Sequence, residues 1–455
     1  MEKTSFFVKD KIFYKTLFSM LIIVALQNLV AYSVNMADNI MLGRYSQSAL
    51  SGAATVNQIF FIIQQFAIAF GNATVVLASQ YWGKNETGPI RRIISITLKI
   101  SLAVSVIITA VCLIIPENII RIFTSDEAII TEGVKYMHIV APTFILFILS
   151  QVLIASLRAV KTVNISFYIS VVSLIVNVAI NYVLIYGKLG FSEMGIEGAA
   201  IGTLIARIIE LLIVIIYLAK FDKKIHLFTK GWLKHDNALF KDYIKVSIPI
   251  LCASVLWGIS VPMQTAILGH LSADAIAANS LATTFYQYLK VVVQAVSSTS
   301  AVMIGNAIGR GNLERVKAEG RTLSVICVLI GVVMGGLLLI LKNPVLSLYQ
   351  DSFTEGAFEL ANNIMIIMSI IMVGMSYEMP VCFGIIQGGG DSKFNMAVNL
   401  ISTWCIVMPL SFMAAFWWKL PVEWVVVCVQ SDQIFKCLPA FLHFRKYTWI
   451  KKLTH

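Results

Sequence analysis

Residues 36–54 read MADNIMLGRYSQSALSGAA and follow an apolar run, Leu17 to Val34, that is long enough to cross a bilayer. Asp38 therefore lies close to the end of a candidate membrane span. A carboxylate near membrane depth costs at least a few kcal/mol unless it is paired, hydrated or protonated. Asp38 is for this reason the first candidate functional residue of the chain.

Part of this stretch returns at an offset of 226 residues. The repeated residues are Leu42-Gly43, Ser46 and Ala49, which recur as Leu268-Gly269, Ser272 and Ala275, and Gly83-Lys84, which corresponds to Gly309-Arg310. Asp38 has no acidic counterpart, because Gln264 stands at the equivalent position. The pattern predicts a duplicated chain whose two halves insert in the same orientation.

The composition indicates a membrane protein: 58% of the residues are hydrophobic and 13% are charged, against about 25% charged in soluble domains. Twelve apolar runs predict transmembrane helices near 15–37, 50–78, 93–115, 136–157, 163–186, 197–219, 246–268, 277–305, 322–341, 361–386, 395–417 and 423–444. We predict an all-α polytopic fold with two pseudo-symmetric six-helix lobes, 1–219 and 246–455, and a basic cytoplasmic connector, 220–245.

The net charge of +11 reflects topology rather than nucleic-acid binding. With both termini in the cytoplasm, 25 Lys and Arg fall in inner segments and 6 in outer segments. This bias follows the positive-inside rule and predicts a multi-pass protein of the cell (inner) membrane. Basic inner segments also predict contact with anionic membrane lipid.

The sequence lacks the motifs of an enzyme or a nucleotide-driven pump, since HExxH, P-loop, GxSxG and dinucleotide-binding patterns are all missing. All seven cysteines fall inside predicted spans without a CxxC pair, which predicts that they act as small apolar residues and indicates neither a disulfide frame nor a metal site. We therefore expect no enzyme and no cofactor, and uphill transport would depend on an ion gradient.

Polar residues within the predicted spans form two candidate groups. Asn177 and Asn181 are one helical turn apart, so their amide oxygens face the same way and, with Asp38, predict a Na⁺ site. The same carboxylate could instead exchange a proton, and the amides could also serve only as interhelical hydrogen-bonding groups. The second group comprises candidates for a substrate cavity or a second-lobe polar site: Gln58, Gln264, Glu378 and Asn399.

Two further pairs, Arg207–Glu210 and Asp432–Lys436, have helical spacings that favour structural ion pairs.

Several motifs together resemble the multidrug and toxic compound extrusion (MATE) transporters, in particular their DinF-like bacterial branch. They are MADNIMLGRYSQSALSGAA, SQYWGKN (79–85), Leu157-Arg158-Ala159, Asn177, Asn181-Tyr182, Gly190-Phe191, residues 195–200, QGGGDSKF (387–394), Trp404, Pro409-Leu410 and the tail from Asp432 to Leu453. The resemblance implies export of small organic cations by a monomer in exchange for Na⁺ or H⁺. It also implies that Asp38, Asn177, Asn181 and Thr203 take part in the ion or proton network.

The chain departs from that family at two places. Gln387 stands where the family has an arginine, and the stretch Val246 to Gly269 has no acid, unlike the seventh helix of the NorM-like branch. The sequence therefore predicts a weakened second-lobe cation site, with Glu378 as a partial substitute.

Two other functions remain open from the sequence. A flippase for lipids or lipid-linked oligosaccharides would favour several arginines in the spans, where the predicted spans hold only Arg207. A receptor or assembly factor that transports nothing would give Asp38 no energetic role.

Overall fold

The computed structural model describes residues 6–234, 236–347 and 353–455. It contains twelve helices that are long and apolar enough to cross a membrane, labelled α1 to α12 in chain order. They are α1 (Lys11–Tyr45), α2 (Gln47–Gly83), α3 (Thr87–Ile114), α4 (Glu127–Ala159), α5 (Asn164–Ile185), α6 (Gly195–Phe221), α7 (Asn237–Gly269), α8 (Asp274–Gly309), α9 (Leu313–Ser347), α10 (Glu355–Ile386), α11 (Ser392–Trp417) and α12 (Val422–Lys446). Every predicted span lies within one of these helices, with at most one residue beyond either helix end, so the twelve-helix fold is confirmed.

The sequence repeat is also a repeat of local structure. Ser46 and Ser272 lie immediately before α2 and α8, and the hydroxyl of each accepts a hydrogen bond from the amide three residues later, at 3.5 and 3.0 Å. At the other end, Asn85 and Gly311 adopt left-handed backbone conformations with φ of 63° and 80°. Both ends of the second helix are thus set by matching residues in the two halves.

Burial follows the same repeat. The share of buried residues in the apolar stretch of each helix is highest for α2 and α4 in the first half, at 61% and 67%. In the second half it is highest for α8 and α10, at 83% and 61%. Close packing of α2 against α4 depends on Gly52, because a Cβ there would lie 2.9 Å from the backbone nitrogen of Gly133. The second and fourth helices are therefore central within each half.

The first compact unit comprises Leu26–Ser247. Its apolar core is built mainly from α2 and α4, with contributions from the C-terminal part of α1 and from α3, α5 and α6. Core residues with no exposed surface include Leu42, Val56, Phe144, Ile148 and Ala199. Because α1 continues through Asp38 to Tyr45, the motif at 36–45 is helical and part of this unit.

The second compact unit comprises Ile248–His455 together with α1 as far as Ala25. One core cluster lies around Met365, Met368 and Met372 of α10. Another contains Phe13 and Leu17 of α1, packed in one cluster with Trp449 and with residues of α8, α9 and α10. The start of α1 belongs to this unit because those two side chains are 4% and 0% exposed there.

These unit boundaries differ from the predicted lobes at 1–219 and 246–455, which remain predictions. The predicted lobe and connector ranges also include residues 1–5, 235 and 348–352, which lie outside the described residues.

The connector is anchored to the helices of the first unit. Its basic segment runs between the end of α6 at Phe221 and the start of α7 at Asn237. Arg91 and Lys99 of α3 donate hydrogen bonds to connector carbonyls at 2.6 and 3.0 Å, and Arg92 forms a 2.7 Å ion pair with Asp236. The pKa of Asp236 is lowered by the amide of Leu239 and by Arg92, so this pair is charged at neutral pH.

Candidate functional site

The centre of the first unit's polar site is Asp38 on α1, whose side chain is only 9% exposed. The Nδ2 group of Asn181 on α5 donates a hydrogen bond of 2.5 Å to its Oδ1 atom. A hydrogen bond to an ionised carboxylate is about twice as strong as one between neutral groups. The contact therefore fixes the position of the carboxylate.

Two more polar residues extend this contact into a series of hydrogen bonds. Asn181 also donates to the Oδ1 atom of Asn177, at 3.3 Å, one turn earlier on α5. Asn177 in turn donates to the Thr203 hydroxyl on α6, at 3.4 Å. Asn177 and Asn181 are 1% and 0% exposed. The structure thus brings together all four residues predicted for the ion or proton network, Asp38 included.

One side-chain oxygen in this series of hydrogen bonds accepts no hydrogen bond from any residue that the structure describes. The Oδ1 atom of Asn181 is buried and has no hydrogen-bond partner among the described residues. A Cβ on Gly202 of α6 would overlap that atom, so only glycine allows the two helices to approach each other here. An unpartnered buried carbonyl oxygen is costly, and a carbonyl oxygen is a group that can bind a cation.

Tyr136 on α4 is a site residue that the sequence analysis missed. It is 4% exposed and interacts electrostatically with Asp38. Nothing in the local sequence indicated a role in the site, because a tyrosine in a membrane span commonly packs against lipid or against the protein core.

Arg207 and Glu210 of α6 form the predicted ion pair, at 2.6 Å. The Ser150 hydroxyl donates a second hydrogen bond of 2.8 Å to the Glu210 carboxylate, and the Arg207 guanidinium lies 4.7 Å from the centre of the Phe147 ring. Arg207 also acts on Asp38 electrostatically. The arginine is therefore a positive charge near the site that is already paired.

The second unit places two of the predicted polar residues close to a buried ion pair. Asp432 and Lys436 pair at 2.9 Å, as predicted, and Lys436 also donates to Asn399. Glu378 is 2% exposed and interacts electrostatically with both charges of the pair. The other two candidates are more accessible: Gln58 is exposed and Gln264 is half-buried.

A second signal in the sequence was overlooked. Asn177 and Asn181 belong to the segment NVAINY, and Asn395 and Asn399 belong to the segment NMAVNL. We call this pattern the N-x-A-x-N motif. It lies on the fifth helix of each half, α5 and α11. Comparing the two halves at this point would have identified Asn395 and paired it with Asn177.

Comparison with known proteins assigns the family. The sequence pattern of the MatE family matches residues 24–183 and 249–413. The chain therefore belongs to the MatE family, the MATE transporters, and is a membrane transporter rather than an enzyme.

Curated relatives match over most of their length. The chain is 23% identical to the probable multidrug resistance protein NorM of Thermotoga maritima over 94% of this chain and 91% of that protein. It is 21% identical to the probable multidrug resistance protein YoeA of Bacillus subtilis, over 89% and 87% of the two chains.

Solved structures show the same fold. A MATE transporter of Vibrio cholerae, VcmN, superimposes with a TM-score of 0.86 over 97% of this chain and 98% of its own, at 17% identity. A MOP superfamily transporter from Pyrococcus furiosus gives 0.86 over 96% and 97%, also at 17% identity. The resemblance of the motifs to the MATE transporters is thus confirmed, and the DinF-like branch stays a prediction.

Proposed function

We propose that this chain is a secondary active multidrug exporter that exchanges small organic cations for Na⁺ or H⁺, with Asp38 as the coupling group. The observation that carries the proposal is the buried carboxylate of Asp38 on α1, held by the Asn181 amide of α5 at 2.5 Å. A buried ionisable group within a transmembrane helix bundle is a functional site by default. The names of the relatives, multidrug resistance proteins, support the substrate class.

The site supports either coupling ion. A proton would neutralise Asp38 directly. Na⁺ would draw on the Asp38 carboxylate and on amide oxygens of Asn177 and Asn181, with the Thr203 hydroxyl beyond them; the open Oδ1 atom of Asn181 supports this second reading. In both cases the ion removes the unbalanced negative charge on α1.

Coupling follows from linkage between two ligands and two states. An ion that binds the Asp38 site more tightly in one conformation shifts the protein toward that conformation. If the organic cation prefers the other conformation, each ligand weakens the other without touching it. The exporter would then release its substrate outside when the ion binds, and the ion inside when substrate binds.

The charges in the first unit favour cationic substrates over lipid pyrophosphates. A flippase for pyrophosphate-linked lipids needs free arginines, whereas Arg207 is held by Glu210 at 2.6 Å. We further propose that the protein works as a monomer in the cell membrane, with both termini in the cytoplasm.

The decisive experiment measures efflux of a fluorescent cationic dye from vesicles that contain the purified protein. Gradients of Na⁺ and of pH are imposed one at a time, with Asp38→Asn in parallel. Glu117→Gln is the matched control, because Glu117 is an exposed carboxylate paired with Arg121. We expect one gradient to drive efflux in the wild type and the control, and neither to do so in Asp38→Asn.

Efflux driven by one gradient also names the ion. If neither gradient drove efflux in the wild type, or if Asp38→Asn kept its ion dependence, the proposal would fail. A lipid-translocation assay on the same vesicles would then test the flippase.

A further inference from the structure

The second unit contains a lysine at a place where a transporter could bind a free cation. Lys436 of α12 is 2% exposed. Its ammonium lies 2.9 Å from the Oδ2 atom of Asp432 and 2.9 Å from the Oδ1 atom of Asn399. A carboxylate oxygen and an amide oxygen converging on one positive atom are the kind of donors that also suit a monovalent cation.

The amide oxygen is oriented by its neighbours rather than by the lysine alone. The Nδ2 group of Asn399 donates to the backbone and side-chain oxygens of Asn395, both at 2.9 Å. Asn395 in turn donates to the Oε1 atom of Gln387 at 2.7 Å. Because the donors of Asn399 are used on Asn395, its carbonyl oxygen is left to face the ammonium.

The same motif meets the opposite charge in the first unit. There Asn181, the second asparagine of its N-x-A-x-N motif, donates to the carboxylate of Asp38. In the second unit Asn399, the second asparagine of the other motif, accepts from the ammonium of Lys436. The Asp38 site thus has a negative charge that a bound ion can neutralise. At the second asparagine motif, the Lys436 ammonium already supplies the positive charge.

We propose that the Lys436 ammonium is a built-in cation, held among the Asp432 and Asn399 oxygens where a free monovalent cation would otherwise bind, so that the coupling ion binds only in the first unit. The claim that there is a single coupling site rests on the proposed function, whereas the claim that Lys436 is a built-in cation does not.

The remaining charges nearby point the same way. Glu378 is buried, and its Oε1 atom has no hydrogen-bond partner within the described ranges. Lys290 of α8, whose ammonium lies 5.1 Å from the centre of the Trp257 ring, acts electrostatically on both Glu378 and Asp432. Asp432 and Glu378 are thus both within electrostatic range of Lys290 and Lys436. A free cation bound beside the Lys436 ammonium would bring two positive charges together in a buried region, which is unfavourable.

Chemical rescue tests the built-in cation without any transport assay. Lys436→Ala removes the atoms that n-propylammonium would restore. Thermal unfolding of the full-length purified protein is followed as n-propylammonium chloride is added, with choline chloride at equal ionic strength as the salt control. Lys290→Ala is the matched variant, since it removes a lysine of the same cluster that faces an aromatic ring instead.

We expect n-propylammonium to raise the unfolding temperature of Lys436→Ala saturably, by about 2 °C or more, and to leave the wild type and Lys290→Ala unchanged. Recovery of folded Lys436→Ala only when n-propylammonium is present during purification would have the same meaning. An unfolding temperature of Lys436→Ala that does not respond, or an equal response of Lys290→Ala, would overturn the built-in cation.

Counting ions tests the single coupling site and needs no variant of Lys436. Two quantities are measured for the wild type and for Asp38→Asn: the amount of bound ²²Na⁺ per chain, and the number of protons released per chain when the organic cation ethidium is added. We expect one ion per chain in the wild type and none in Asp38→Asn. One ion remaining in Asp38→Asn would refute the single site. No ion in the wild type would instead refute the proposed function, and the rescue result would still decide the built-in cation.

Discussion

The side-chain amide of Asn181 on α5 donates a 2.5 Å hydrogen bond to the carboxylate of Asp38 on α1, 143 residues earlier in the chain. Both side chains are buried. This bond is the direct link between the helix that carries the negative charge and the helix that carries the asparagine pair. Any ion that neutralises Asp38 must alter it.

Replacing Asn181 by alanine should weaken coupling-ion binding. The change removes a hydrogen bond to a charged group, worth about 1.5–3 kcal/mol, and an oxygen that could bind Na⁺. We expect the ion concentration for half-maximal efflux to rise about tenfold or more. Ser170→Ala is the control on the same helix, because the Ser170 hydroxyl bonds only one turn back to the Ser166 carbonyl. Equal ion dependence in the two variants would contradict the role of Asn181.

Gly202→Ala should act on the same site from the neighbouring helix. The new Cβ would overlap the Oδ1 atom of Asn181, so the amide must move away from Asp38. We expect efflux to fall as it does in the Asn181 variant, with a lowered unfolding temperature. Gly336→Ala is the matched control: a Cβ on this helical glycine meets nothing within 4 Å, and alanine is the better helix former. If Gly202→Ala transported normally, the close approach of α5 and α6 would not matter for function.

Removing one member of the Arg207–Glu210 pair should lower the unfolding free energy more than removing both members. Glu210→Met leaves the guanidinium without its carboxylate, and we expect a loss of about 2–4 kcal/mol in unfolding free energy. The double variant Arg207→Met/Glu210→Met has no uncompensated charge and should recover most of that loss. Denaturant unfolding of the two single variants and the double variant gives the coupling energy. Additive effects would show that the pair contributes nothing as a pair.

The acid Asp391, between α10 and α11, should stabilise the C-terminal tail in a pH-dependent way. Burial opposes its ionisation, but Lys451 at 2.8 Å, the hydrogen bond with His443 at 3.0 Å and the Phe394 amide together hold its pKa below the ordinary value of 3.8. A lowered pKa in the folded state means that the stabilisation is complete above pH 3.8 and is lost as the pH falls through the lowered value.

Asp391→Asn should therefore lower stability by about 1 kcal/mol at neutral pH. The gap in unfolding temperature between this variant and the wild type should shrink as the pH falls below the ordinary pKa of the carboxyl. Lys451→Met, which removes one partner, should show part of the same loss. A gap that widened in acid would have the opposite sign and would rule out the ionised form as the stabilising one.

The helices and the repeat could be predicted because they depend on local patterns. Apolar runs gave all twelve spans, and Ser46 and Ser272 marked the same helix start in both halves. Asp38, Asn177, Asn181 and Thr203 could be collected because polar residues are few in membrane spans. Their order of contact, from Thr203 through the asparagines to Asp38, depends on helix packing and was not readable from spacing.

The remaining features depend on contacts between distant parts of the chain. The part of α1 as far as Ala25 belongs to the second unit, where Phe13 and Leu17 pack in one apolar cluster with Trp449. Tyr136 joins the site through the fold of α4 alone. Lys436 was assigned to a simple ion pair with Asp432, since nothing in its local sequence signalled the contact with Asn399.

The N-x-A-x-N motif shows how a duplicated scaffold can diverge in charge without being rebuilt. A carboxamide carries both a donor and an acceptor, so the same asparagine can serve an anion in one copy and a cation in the other. The partner is supplied by α1 in the first half and by α12 in the second. Two copies of one helix motif can therefore support different charges when different neighbouring helices supply the partner, with no change in the asparagines themselves.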